Sequence, residues 1–167
     1  MSADVIIRTA VDGDEEFILS LASRLADFEL PPWRTPEEVE AGTRLWLKKA
    51  LSSRSESACI LLAERGGELL GFIYVHEERD FFTGAAYGHV SEVAVDARLQ
   101  GAGIGSLLMN AAEQWAQARG YGRIGLNVFV GNERARRLYE HLGYTLETVK
   151  YTKLLPAMQS LSNKQSD

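Results

Sequence analysis

The run Gln100-Gly-Ala-Gly-Ile-Gly-Ser106 places three glycines at alternate positions between a strand pattern and a helix pattern. Before it, residues 91–96 carry Val93 and Val95 in the alternation of a pleated strand. After it, apolar residues fall at 104, 107, 108, 111, 115 and 118, one face of a 3.6-residue helix. A helix N-terminus offers free N–H groups and a partial positive charge, and glycines let a ligand approach that backbone closely. The chemistry is that of an anion site, most often for phosphate or pyrophosphate. A Walker A loop is excluded, because Ser106 follows Gly105 with no lysine. A dinucleotide fingerprint fits poorly. Its third glycine would come one residue later, and its acidic residue is replaced by Leu126 or Asn127.

A second segment carries a related pattern. Residues 124–130 read as a strand, followed by Asn132-Glu-Arg-Ala135-Arg-Arg-Leu138-Tyr139 and then Leu142-Gly143-Tyr144. Asn132 suits an N-cap, and Glu133 lies in the first turn, where the helix dipole favours negative charge. Ala135, Leu138, Tyr139 and Leu142 share a face, and Gly143 is placed as a left-handed C-terminal cap. By spacing alone, Tyr139 is a half-buried aromatic anchoring a short helix.

Taken together, Gln100-x-x-Gly103-x-Gly105 and Asn132-x-x-Ala135-x-x-Leu138-Tyr139 resemble the two motifs of the Gcn5-related N-acetyltransferase (GNAT) family, in the family's order. The likeness runs from Val5 to Leu155, with the specific motifs between 90 and 144. It implies that the strands near 90–95 and 124–128 are parallel and splay apart, with acetyl-coenzyme A (acetyl-CoA) entering the gap as co-substrate. It implies direct acetyl transfer to an amine, with Tyr139 protonating the departing thiolate. The chain departs from the family pattern in three places. Asp96-Ala97 stands where proline is common, Ala102 where a basic residue lies between the glycines, and Asn127 where some relatives carry glutamate. Arg98, Arg136 and Arg137 are candidates to restore the missing charge, although a solvated basic face explains such residues as well.

Acetyl transfer from a thioester to an amine needs a held pyrophosphate, a polarised carbonyl, a deprotonated amine and a protonated leaving thiolate. Backbone N–H groups of Gln100, Gly101, Ala102, Gly103, Ile104, Gly105 and Ser106 suit the first task, with Ile104 and Leu107 holding the loop on the core. Main-chain groups of Val93, Ala94 and Val95 would pair with the pantetheine arm as a further strand does, and an N–H near Val93 would polarise the carbonyl. Asn132, Ala135 and Tyr139 complete the cofactor-binding set. The base must deprotonate an alkylammonium whose ordinary pKa is near ~10. Glu92, in an apolar strand where burial raises a carboxyl's pKa, is the leading candidate. His89, acting directly or through water, is the alternative, and a plain surface carboxylate is the other reading of Glu92. No H-E-x-x-H motif or cysteine cluster is present, so no metal site is expected.

The remaining elements must position these groups. Residues 5–10 read as a strand, and a helix after Asp12 carries Ile18, Leu21, Leu25 and Phe28 on one side until Leu30-Pro31-Pro32 stops it. Thr35-Pro36-Glu37-Glu38 is a capping box that starts a helix to about Leu51. Strands at 59–63 and 69–75 flank a turn at Gly66-Gly67, and residues 80–86 form a loop exposing Phe81 and Phe82. Residues 145–155 should supply the last one or two strands. The expectation is an α/β fold: a mixed, twisted central sheet of six to seven strands with helices on both faces. The acetyltransferase domain is placed at 4–158, with a flexible tail at 159–167.

A chain of 167 residues with a net charge of −5 fits one globular domain and disfavours a nucleic-acid partner. The lone Cys59, the absence of a long apolar run and an N-terminus unlike a signal peptide point to a cytoplasmic protein without a membrane partner. Phe28, Trp33, Phe81, Phe82 and Tyr87 could line an acceptor pocket, with Glu29 or Glu38 drawing a cation. Trp46 reads instead as core or interface. The acceptor would be a small-molecule or protein amine, and a homodimer is possible in such folds. The alternative function is a non-catalytic acyl-CoA-binding sensor.

Overall fold

The computed structural model describes residues 4–156. Five strands, β1 (Ile6–Thr9), β2 (Ala58–Arg65), β3 (Glu68–Arg79), β4 (Ala86–Val95) and β5 (Ile124–Leu126), form one sheet in sequential order. The first three pairings are antiparallel, and β4 pairs with β5 in parallel across a helical crossover. The helices are α1 (Glu15–Ser20), α2 (Pro36–Ser53), α3 (Ile104–Ala118) and α4 (Glu133–His141).

Alternation along β3 explains why helices cover both faces. Phe72 and Tyr74 point to one side, where Ile18 and Leu21 and the α2 residue Leu47 are buried with Leu62 and Ala94. Ile73 and Val75 point to the other, against Ile104, Leu108, Met109 and Ala112 of α3 and Tyr139 of α4. Arg8 fixes the entry to the first helix. Its guanidinium donates to Asp14 at 2.7 and 2.9 Å and to Glu64 at 2.6 Å, and the Val11 N–H donates to Asp14 at 2.8 Å. This guanidinium holds the buried Asp14 carboxyl below its ordinary range.

The capping box forms as expected. The Glu38 N–H donates to Thr35 Oγ1 at 3.2 Å, and the Thr35 N–H donates to the Glu38 carboxylate at 3.1 Å. The helix expected from Asp12 to Phe28 is broken into three pieces. A 3-10 turn at Asp12–Asp14 precedes α1, and tighter 3-10 winding at Leu21–Ala26 follows it. That winding keeps Leu21, Ala22 and Ala26 buried while sending Arg24 toward β4.

The sheet has five strands, not six or seven. Residues 145–155 form no strand, and Leu146, Val149, Tyr151, Leu154 and Leu155 stand exposed. A strand needs a ladder partner, and β5 contributes only three residues, fewer than the 124–130 run suggests. The expected tail at 159–167, like residues 157–158, lies outside the described residues. Among the described residues, no helix is long and apolar enough to cross a membrane.

Candidate active site

The site begins with an irregularity in β4. Tyr74 of β3 pairs with Glu92, but Val75 pairs with Val90, so Ser91 is an extra residue, a β-bulge. On its other edge β4 pairs with β5 only through Gly88, His89 and Val90. Beyond Val90 the two parallel strands part, as the family resemblance implies. Residues 91–95 and 127–129 then line opposite walls of a cleft of about 610 Å³. Past the bulge, β4 turns its backbone groups alternately toward β3 and toward the cleft. The Asp96 N–H donates to the Leu70 carbonyl, and the Ala94 carbonyl lies against Gly71, so Val93 and Val95 present their main-chain groups to the open side.

The glycine loop closes one end. Gly101 and Gly103 both sit at φ 81°, a left-handed conformation that side-chain-bearing residues rarely adopt. Gly103 is the N-cap of α3. The N–H groups of Gly101, Gly103, Ile104, Gly105 and Ser106 have no backbone partner among the described residues. Those of Gln100 and Ala102 are taken by the carbonyls of Ala97 and Leu99, at 3.4 and 3.1 Å. The set of free N–H groups is therefore narrower than the full 100–106 run, and Ala102 is outside the cleft lining. Ile104 is buried and anchors the loop, as expected, whereas Leu107 is 41 % exposed and does not. The buried face of α3 runs through 104, 108, 109, 112 and 116 and leaves Leu107 on its flank.

Glu92 and Tyr139 both line the cleft. Burial pushes the Glu92 carboxyl up to about 7. Burial, reinforced by the charge of Glu92, pushes the Tyr139 phenol up to about 12, so Tyr139 is protonated at neutral pH. Asn132 caps α4 by accepting from the Ala135 N–H at 3.2 Å, which leaves its side-chain NH2 free to donate. Gln100, Asn132 and Ala135 are also in the lining. His89 is not. Its ring packs against His76 and Tyr87, and burial lowers its pKa. Cys59 lies in β2 against the core, where burial pushes its thiol up.

Several lining residues were not among the sequence candidates. Arg24 donates to the Val95 carbonyl at 3.3 Å and to the Gln100 side chain at 3.4 Å, and it pairs with Asp27. Arg134 also lines the cleft. By contrast, Arg98 is tied to Asp96 and Glu68, Arg136 donates to the Val130 carbonyl, and Arg137 pairs with Glu133. No motif marks Arg24, which reaches the site only through the fold. A roof crosses the cleft where Phe28 meets Phe129 at 5.6 Å and Gly131 sits against the Glu29 backbone. Of the proposed acceptor aromatics, only Phe28 lines the cleft. Phe81 and Phe82 meet edge to face in solvent, Trp33 is partly exposed, and Tyr87 lies under Arg123. Trp46 is not core. It is 42 % exposed and packs on Tyr74 and His76.

Residues 21–144 match the model of the acetyltransferase (GNAT) family. A mycothiol acetyltransferase of Thermobispora bispora is 35 % identical over 150 residues, covering 87 % of this chain and 48 % of that protein. The chain spans about half the length of the first curated relatives it matches. A ribosomal-protein-alanine N-acetyltransferase of Brucella melitensis superposes with a TM-score of 0.67 at 23 % identity, covering 91 % of this chain and 100 % of that one. An aminoglycoside N-acetyltransferase in complex with CoA superposes with a TM-score of 0.66 at 16 % identity, covering 92 % and 97 %. These two likenesses speak to the fold.

Proposed function

Because the chain belongs to the acetyltransferase (GNAT) family, we propose that it moves an acetyl group from acetyl-CoA directly to a primary amine of a small molecule or protein. Residues 4–158 would act as one domain in this reaction. The observation that carries the reading is the cleft opened by the Ser91 bulge, with free N–H groups at one end and Glu92 and Tyr139 within it.

The N–H groups of Gly101 and 103–106 bind the pyrophosphate at the positive end of α3. Arg24 and Arg134 add positive charge to the same cleft. The main-chain groups of Val93 and Val95 pair with the pantetheine arm, and the Val93 N–H polarises the thioester carbonyl. Asn132 donates a further hydrogen bond, and Ala135 leaves room beside it. Glu92, with a pKa near the working pH, takes the proton from the ammonium group. The amine nitrogen then bonds to the carbonyl carbon and the carbon–sulfur bond breaks, with Tyr139 donating to the sulfur as it gains charge. The second nitrogen proton is lost as the amide forms and restores the Tyr139 phenol, and Glu92 releases its proton to solvent. Cys59 faces the core, which supports transfer without an acetylated cysteine.

The test is a thermal-shift titration with acetyl-CoA, using NAD and ATP as controls. A ligand at 100 times its Kd adds about 2.7 kcal/mol, several degrees in Tm for a domain of this size. Stabilisation by acetyl-CoA alone, followed by amine-dependent thiol release, is expected. No shift at millimolar acetyl-CoA would remove the reading.

A further inference from the structure

Two of the chain's three histidines face each other across the sheet. His76 of β3 and His89 of β4 are direct cross-strand partners, with ring centroids 5.4 Å apart. Glu78 lies two residues beyond His76, so its side chain emerges on the same face. Donor atoms of His76, Glu78 and His89 all lie within 4.8 Å of one another, and all three residues are half-buried. We propose that His76, Glu78 and His89 form a binding site for a divalent transition-metal ion of the Zn2+ class, held between β3 and β4.

The surroundings suit that role. His76 Nδ1 lies 3.0 Å from the Glu77 carbonyl, which can only accept, so the ring proton belongs on Nδ1. Nε2 then carries the lone pair and accepts from the Ser91 hydroxyl at 2.7 Å. A backbone carbonyl that fixes the tautomer is the usual partner of a metal-bound histidine. Tyr87 donates to Glu78 at 3.4 Å and orients the carboxylate. The neighbours Glu77 and Asp80 take Arg79 and Arg123, and among the described residues Glu78 pairs with no cation. A carboxylate without a counterion beside two imidazoles is a set that a metal neutralises.

Bonds of about 2.0–2.1 Å in a tetrahedral site place the donors about 3.3 Å apart, so side-chain rotations that close the present spacing complete it. The antiparallel ladder holds both histidines, and Tyr74 and Tyr87 flank their rings at 5.4 and 6.4 Å. Two imidazoles and one carboxylate leave a fourth position for water, for Ser91 or for an exogenous ligand. Of the two strands, β4 also forms one wall of the cleft, and the Ser91 that bonds to His76 is its bulge residue.

The experiment is a titration of the tag-free full chain with ZnCl2 by calorimetry and with CoCl2 by visible absorption. One equivalent of each ion should bind, and Co2+ should develop the intense bands of a low-symmetry site. His89→Ala, His76→Ala and the near-isosteric Glu78→Gln should each weaken binding at least tenfold while melting, without metal, near the wild-type temperature. Absence of saturable binding would overturn the proposal. So would undiminished binding in a folded His76→Ala/His89→Ala double variant, which would place the ion elsewhere. Neither readout depends on acetyl transfer.

Discussion

Glu92→Gln should make the protein more stable at pH 8 while slowing acetyl transfer. In the unfolded chain this carboxyl ionises near 4.5, and in the fold burial moves it to about 7. Below pH 4.5 the group is neutral in both states and its burial is not penalised. Between those values the unfolded chain releases the proton first, so stability falls by about 1.4 kcal/mol per pH unit and levels off above about 7. The full difference is about 3 kcal/mol, and solvent reaching the cleft mouth brings it to about 2–3. Glutamine keeps the shape and carries no charge. It should therefore recover about 2–3 kcal/mol at pH 8, or about 5–10 °C in Tm, and little at pH 4.5. Urea melts at the two pH values measure the stability arm. Thiol release with a fixed amine measures the other, where loss of a general base costs about 10²–10⁴-fold. Wild-type kcat/KM should rise about tenfold per pH unit below about 7 and flatten above it, and the variant should lose that step. Equal stability gains at pH 4.5 and pH 8, or a loss at pH 8, would refute the burial argument. Full turnover in the variant would remove Glu92 as base.

Tyr139→Phe should slow thiol release on the order of 10²-fold while leaving acetyl-CoA affinity within about twofold, measured by single-turnover and equilibrium titration. Arg24→Met removes the hydrogen bonds to the Val95 carbonyl and Gln100. It should weaken acetyl-CoA binding by about tenfold, or about 1.4 kcal/mol, with an effect that shrinks at high salt. Gly131→Ala would set a Cβ 2.0 Å from the Glu29 carbonyl oxygen. It should destabilise the fold by about 1–3 kcal/mol in chemical melts. Gly122→Ala, with nothing within 4 Å, should be near neutral.

The legible parts of the site were those set by a few neighbouring residues. The glycine run before an amphipathic pattern marks where α3 begins, and Asn132 three residues before Ala135 specifies the cap of α4. Thr35 and Glu38 form their reciprocal bonds within a single turn. The misread parts depend on distant partners. Residues 145–155 are rich in β-branched and aromatic residues, which suit a strand, yet without a ladder partner they form none. Arg98 sits beside the glycine loop in sequence but is held by Asp96 and Glu68, while Arg24, over 70 residues from the loop, reaches Gln100.

By itself the sequence determined where free N–H groups collect at the start of α3, because glycine spacing and the start of a helix are decided within a few residues. It also determined that both sheet faces would be covered, since Leu70 to Val75 leaves neither side of β3 polar. The tertiary structure alone decided that β4 and β5 part at Ser91, which arginines face the opening and that two histidines meet a lone carboxylate. Register between strands sets each of these, and register is an agreement among segments far apart in the chain.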